Sequence, residues 1–204
     1  MATIDKEAVE LFKQKAAPVS IKVVEVKDMA EAVAYALDTC EKKDFCELVY
    51  CGTEQTSAGI VKAEKKMFCA PNLTDKEYSA LAALGAERGF DMLRSGMRGH
   101  LEGIDVAFTT ADGAVAETAT TIIECMSEDV RLATMIAEVH VVALKKSQIK
   151  KTSYDVEPYL QKLMEKGVMY TAFISGASRT ADIERVLTLG VHGPLELHIA
   201  LMEG

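Results

Sequence analysis

SIKVVEVKDMAEAVAYALDTCEK, the run from Ser20 to Lys42, changes its hydrophobic period once, and the change decides the fold class. Ile21, Val23, Val24 and Val26 crowd β-branched residues into seven positions, which predicts a strand over Ser20–Val26. Asp28 then stands one residue before Met29, as an N-cap does. Ala32, Val33, Ala36 and Leu37 recur at helical spacing, so a helix over Met29–Lys42 follows. A strand that feeds a capped helix almost without a loop is half of a βαβ unit.

The neighbouring segments repeat the alternation. Upstream, Val9, Leu11, Phe12 and Ala16 predict an amphipathic helix over Ile4–Ala17, with Thr3 as its cap. Downstream, the spacing predicts a short strand over Glu47–Cys51, a helix over Thr56–Lys66 and a strand over Lys66–Ala70 stopped by Pro71. A helix over Asp75–Glu87, capped by Thr74, comes next. Ile104–Thr110 and Ala114–Cys125 are rich in Val, Ile, Thr and Ala around a turn at Ala111-Asp112-Gly113. The second reads as extended chain bent near Thr118. Glu138–Leu144 reads as an apolar strand that begins with a loop histidine, His140. Asp155–Lys166 reads as a helix closed by Gly167, Tyr170–Ile174 as a buried strand and Leu195–Met202 as the last strand. The expected fold class is α/β, a mixed, largely parallel sheet flanked by helices.

No repeat, low-complexity tract or linker divides the 204 residues, so one domain over 1–204 is expected. The net charge of −8 argues against a nucleic-acid partner. The cluster Lys145, Lys146, Lys150 and Lys151 reads as solvated surface. No run is long and apolar enough to span a membrane. Charged residues interrupt the first fifteen positions, so no secretion signal is read and a cytoplasmic location is expected. The five cysteines form no CxxC pair and show no zinc or iron–sulfur spacing. No metal site is therefore expected in this chain.

Three segments carry candidate chemistry. In ISGASRTADIE (Ile174–Glu184) an apolar strand runs into Ser175 and Gly176, where the backbone can turn sharply. A helical turn beginning near Ser178 would aim free amides at an anion beyond the strand end. Ser178 and Thr180 add hydroxyls, Arg179 suits a carboxylate or phosphate, and Asp182 completes the candidate set. The competing reading is a plain strand–turn–helix junction with Ser178 as cap and Arg179 paired to Asp182 or Glu184. The spacing is neither a Walker loop nor a dinucleotide fingerprint. In LGVHGPLE (Leu189–Glu196), His192 sits in a tight loop beside Gly193, either to handle a proton or oxyanion or to hold the turn. His198 reads as packing. In ADGAVAETATTI (Ala111–Ile122), Glu117 and Thr118 interrupt small apolar residues. Glu117 is either a base or nucleophile, with Arg179 as a candidate partner, or an edge carboxylate in water. Arg94, Arg98 and His100 lie in a glycine-containing loop and read equally as surface or site.

Together these segments resemble the LUD-domain family, which includes lactate-utilisation protein C. The run ISGASRTADIERVLTLGVHGPLELH (Ile174–His198) is similar to that family's C-terminal signature. TADGAVAETAT (Thr110–Thr120) looks like its second motif, and VHVVAL (Val139–Leu144) like the strand between them. One departure is visible: Ala119 stands where the family usually carries glycine, which alters the pocket if that position needs positive φ or close approach of a ligand. The resemblance implies a fold like that of 5-formyltetrahydrofolate cyclo-ligase, ribose-5-phosphate isomerase and the CoA transferases. It also implies a part in oxidising L-lactate to pyruvate beside separate iron–sulfur subunits. The chain shows no cysteine cluster and no flavin or nicotinamide motif, so redox cofactors are expected in those partners.

Three functions remain open from sequence. The first is a subunit of a lactate-oxidising system that binds a small anion, with Glu117 and His192 as catalytic candidates. Ser175, Gly176, Ser178, Arg179, Thr180, Asp182, Thr118 and Gly193 are its binding candidates. The second is a stand-alone enzyme on phosphorylated, folate or CoA-linked substrates. The third is a non-catalytic ligand-sensing or scaffold module, which either binds a ligand without turnover or carries a homodimer interface over the same region.

Overall fold

The computed structural model describes residues 3–44, 65–100, 103–165, 167, 170–180, 188–190 and 192–203. The strand and helix anticipated at Glu47–Cys51 and Thr56–Lys66, and Asp182 with its neighbours, lie outside these residues.

Local capping chemistry sets the first elements. Helix α1 (Lys6–Ala16) is capped by Asp5, whose carboxylate accepts from the Ala8 amide at 3.1 Å; the cap is Asp5 rather than the anticipated Thr3. Strand β1 (Ile21–Val26) and helix α2 (Met29–Lys42) follow, and the Asp28 carboxylate accepts from the Glu31 amide. After β2 (Met67–Cys69), helix α3 (Asp75–Glu87) begins with a complete Thr74–Glu77 capping box. The chain continues through β3 (Asp91–Leu93), β4 (Ile104–Thr110), β5 (Gly113–Val115) and β6 (Thr120–Cys125) to α4 (Glu128–Ile136) and β7 (Ala137–Lys145). It ends with β8 (Ile149–Lys150), α5 (Glu157–Glu165), β9 (Tyr170–Ile174), β10 (Arg179–Thr180), β11 (Thr188–Leu189) and β12 (Glu196–Met202).

Six strands form a parallel sheet in the order β1-β12-β7-β4-β2-β3. Its helical cover makes this the α/β architecture expected from the alternation. On one face α2 and α3 bury Ala32, Ala36, Leu37 and Leu81 against Phe68, Val106, Phe108, Val141 and Ala200. On the other face α1 packs Ala8, Phe12 and Ala16 against Val142, Leu144, Leu197 and Ile199, and α4 lays Ala133 near Ala107 and Ile104. Burying each large apolar side chain contributes about 1.5–3 kcal/mol, so both layers are needed. A second, four-stranded sheet, β8-β5-β6-β9, sits on the α1 face and is backed by Val156, just before α5, and by Tyr159 and Leu160 of α5.

Several expectations need correction. Strand β9 is not buried in the parallel sheet: it pairs antiparallel with β6, and Tyr170 and Phe173 are half exposed. His140 is not in a loop; it lies inside β7 and is fully buried. Helix α4, capped by Ser127, was not anticipated. The chain at Ser178 does not enter a helical turn, because Arg179–Thr180 is a strand pairing antiparallel with Thr188–Leu189.

Candidate functional site

The candidate segments converge near the amino ends of β1 and β12, not beyond the carboxyl ends of the parallel strands. Ser178 is the joint. Its amide donates to the Pro194 carbonyl at 2.8 Å, its carbonyl accepts from the Gly190 amide at 3.0 Å, and its hydroxyl accepts from the His192 amide at 3.3 Å. Leu195, one residue further, donates its amide to the Glu138 carbonyl at the start of β7, at 2.8 Å. Two segments separated by a dozen residues are thus stitched into one surface against the main sheet.

Two glycines make that approach possible. Gly176 has φ +102°, and a Cβ there would stand 2.3 Å from the Val19 carbonyl oxygen. A Cβ on Gly193 would stand 3.3 Å from Cβ of Ser178. The first position excludes any other residue, and the second allows one only if Ser178 shifts. Among the described residues no hydrogen bond engages the Gly176 and Ala177 amides, so both are available donors.

Beside them runs a chain of hydroxyls. Thr118 Oγ1 lies 2.7 Å from Thr120 Oγ1, which lies 2.6 Å from Ser175 Oγ. Thr120 is buried, whereas Thr118 and Ser175 are exposed. Thr120 was not singled out from sequence. Extended alternation does not bring the pair together: Thr118 lies in the turn before β6, and the positive φ of Ala119 sets it against Thr120. The third member, Ser175, is 55 residues away in sequence, and only the β6–β9 register brings it in.

Other candidates stand apart. The Glu117 carboxylate accepts from both the amide and the hydroxyl of Ser153, at 2.7 and 2.8 Å, rather than pairing with Arg179. Those two bonds, the amide's first, hold its pKa below the ordinary carboxylate range, so Glu117 is an anion at neutral pH. Arg179 is exposed and, among the described residues, reaches only the Pro18 carbonyl, at 3.4 Å. His192 is exposed, and its backbone rather than its ring makes the contact with Ser178. Thr180 ends β10 as the partner of Thr188.

The loop arginines resolve into structural ties. Arg94 donates to the Leu73 carbonyl, pairs with Asp75 at 2.6 Å and lies over the Tyr78 ring, while Arg98 pairs with Glu128. His198 is more than packing. Its Nδ1 lies 3.1 Å from the Tyr35 hydroxyl and its Nε2 2.7 Å from Glu196, so it links α2 to the start of β12. Burial outweighs the neighbouring carboxylate and lowers its pKa, which keeps the ring neutral. Neutral His198 is satisfied on both sides if Tyr35 donates to Nδ1 and Nε2–H donates to Glu196. A cavity of about 430 Å³ lies elsewhere, between the start of α1 and β8; in it Lys150 and Lys151 face Asp5 and Asp155, so opposed charges leave it no clear preference for an anion.

The sequence profile of the LUD domain matches residues 9–202. A lactate utilization protein C from Exiguobacterium sp. is 33% identical over 101 residues, covering 48% of this chain and 44% of that protein. One from Deinococcus radiodurans is 30% identical over 118 residues, covering 56% of this chain and 55% of the relative. The chain thus spans about half the length of these curated relatives. A crystal structure of a DUF162 family protein from Deinococcus radiodurans superposes with a TM-score of 0.62 at 19% identity, over 96% of each chain. That likeness concerns the fold.

Proposed function

The chain belongs to the LUD-domain family, and on that premise we propose that it is a subunit of a lactate-utilisation system that binds a small carboxylate where Ser175–Arg179 meets His192–Pro194. In this reading it supports oxidation of L-lactate to pyruvate beside iron–sulfur partner proteins, which carry the electrons.

The observation that carries the binding site is the junction at Ser178, which holds two otherwise separate segments against each other. Such a junction keeps donors in place before a ligand arrives, which reduces the ordering cost of binding. The free amides of Gly176 and Ala177 take the carboxylate. The Ser175 hydroxyl meets the oxygen on the adjacent carbon. Arg179 adds positive charge at the rim, where it attracts an anion to a chain whose net charge is −8. His192 flanks the same loop and is the nearest candidate for a proton carrier. Glu117, occupied by Ser153, has a supporting role in holding the Ala116–Ala119 turn against the residues after β8.

The test is a thermal-shift titration of the purified chain with L-lactate and with pyruvate, using acetate as the control. A ligand at one hundred times its Kd adds about 2.7 kcal/mol of stability, which a melting curve resolves readily. Binding that disappears in Arg179→Gln or Gly193→Val is the expected result. No shift with either acid at tens of millimolar would remove the carboxylate reading. Affinity capture from the native host tests the second half: recovery of iron–sulfur proteins is expected, and their consistent absence would refute the complex.

A further inference from the structure

Strand β9 closes one side of the four-stranded sheet, and its outer edge pairs with nothing among the described residues. Its five residues, Tyr170-Thr171-Ala172-Phe173-Ile174, include no charge, proline or glycine. Its register with β6 runs through without a bulge. A bare edge is a template for another strand, and proteins usually blunt one with lysine, proline or a bulge. None of these devices is present in β9.

The exposed side chains show where the cover is missing. Tyr170 lies on the face that β9 shares with Cys125, and Phe173 lies on the opposite face with Ile122. Both are half exposed. A helix or loop laid over one face would cover one ring and leave the other in water. A strand added at the edge covers both. Beside Tyr170 there is also a cavity of about 200 Å³ lined by Met126, Ser127 and Arg131, and Met126 is itself exposed.

The strand fits a copy of itself. In an antiparallel pair centred on Ala172, Tyr170 meets the partner's Ile174 and Thr171 meets the partner's Phe173. Each of these pairs sets an aromatic ring against a β-branched side chain, a favourable cross-strand combination, and two small alanines meet at the centre. No like charges oppose one another, because the strand has none. The charge lies beside it. Arg131 stands over the Tyr170 ring, 5.3 Å from its centroid, and shares Glu128 with Arg98, so two guanidiniums divide one carboxylate. A twofold at Ala172 carries that positive charge to the Ser175 end of the neighbouring strand, where it complements a bound carboxylate. Tyr170 and Ile174 share the face turned to the main sheet, which is the side towards which the chain bends at Gly176 to reach Val19 and Pro194.

We propose that β9 pairs antiparallel with β9 of a second copy about a twofold at Ala172, joining two four-stranded sheets into one and bringing Arg131 of the partner subunit to the carboxylate site at Ser175–Arg179. The pairing stands on the edge alone. The part played by the arginine rests on the carboxylate site proposed above.

Sedimentation of the ligand-free chain over a dilution series is the first test. A dimer at about 100 μM that dissociates on dilution is expected, as befits a small interface. Phe173→Lys places a charge in the seam and is expected to raise the dimer Kd about tenfold or more while the melting temperature stays near the parent's. Ala172→Cys places two thiols opposite each other with Cα atoms about 5 Å apart, within disulfide range, so mild oxidation is expected to yield a linked dimer that the parent does not form. A chain that is monomeric throughout overturns the pairing. So does a dimer that Phe173→Lys leaves intact, or an Ala172→Cys dimer that does not link. Calorimetric titration with L-lactate at dimer-forming concentration tests the arginine: Arg131→Gln is expected to weaken binding about tenfold. Unchanged affinity in that variant overturns the shared site. A parent dimer that binds no lactate removes the carboxylate site and the arginine's part in it, and leaves the edge pairing supported.

Discussion

Two single residues show strain and burial that the chain tolerates for the sake of its neighbours. Ala119 has φ 49° and is fully buried, a conformation that costs an L-residue with a Cβ roughly 1–2 kcal/mol. Its methyl returns about 0.8 kcal/mol by burial. Ala119→Gly therefore leaves stability within about 1 kcal/mol of the parent, whereas Ala119→Val, β-branched and without room, lowers it by about 2–4 kcal/mol. Urea unfolding of the two variants checks the contrast. His140 is the second case. Its Nε2 lies 2.8 Å from Thr109 Oγ1, its Nδ1 has no partner, and burial pushes its pKa down to about 3. In the unfolded chain the ring titrates near 6.5. Above pH 6.5 it is neutral in both states and has no linkage effect. As pH falls from 6.5 towards 3 only the unfolded state takes up the proton, and stability falls by about 1.4 kcal/mol per pH unit from this group. Unfolding free energies measured from pH 7.5 to 4 are expected to show that slope, and His140→Gln is expected to lose one proton's worth of it. A variant with the parent's slope would contradict the assignment.

At the scale of elements, what the sequence revealed depended on whether the signal was local. Asp28 and Thr74 announce α2 and α3 because a cap and the first turn are contiguous, and both helices begin where the caps predict. Helix α4 was missed because its nine residues, EDVRLATMI, include Val, Thr and two consecutive positions at the end that read as the start of the next strand. Its Ser127 cap, with Glu128 and Asp129 in the first turn, was the available sign. Ser127→Ala is expected to cost about 1 kcal/mol, read by chemical unfolding. Strand β9 was legible as a strand but not as a member of the second sheet, since a strand's partner is a non-local fact. The same holds for the site: Ser175, Ser178 and His192 were visible as residues, whereas Thr120 became visible only through the register that sets it beside Ser175. Buried charge between elements was equally invisible. Lys43, at the end of α2, lies 2.8 Å from Asp105 in β4 and 3.0 Å from Glu138 in β7, and Asp105 also accepts from the Met67 amide. Lys43→Met removes a charge that compensates buried Asp105 and is expected to cost about 3 kcal/mol. Adding Asp105→Asn, which keeps an acceptor for Met67 without the charge, should recover part of that loss; a fully additive double variant would show that the two groups are not coupled.

Across the whole molecule the two ends of the parallel sheet are finished differently. At the amino ends of β1 and β12 the segments around Ser178 are drawn together by uncharged contacts, and exposed donors remain. At the carboxyl ends of β1, β7 and β12 a charge network closes the surface. Glu25 pairs with Lys13 from α1 and with Lys146 at 2.8 Å, and Lys146 also reaches Glu203. Hydrogen bonds from Lys13 and then Lys146 bring the Glu25 pKa down to about 2. A depressed carboxylate stabilises the fold above its unfolded pKa, near 4.5, and that contribution is lost as pH falls from there towards 2. Because Glu25 is half exposed, solvent screening limits the effect. Glu25→Gln is expected to destabilise by about 0.5–1 kcal/mol at low ionic strength, to match the parent in 1 M salt, and to approach it again as pH falls through the folded pKa of about 2. Melting curves over that grid of salt and pH are sufficient. A loss that persists in 1 M salt would mean that Glu25 acts through packing, and the carboxyl end would then be closed by shape rather than by charge. If the expected pattern holds, the end of the sheet where α/β proteins commonly bind ligands is here occupied by the protein's own ion pairs, and the opposite end is the one left free to receive an anion.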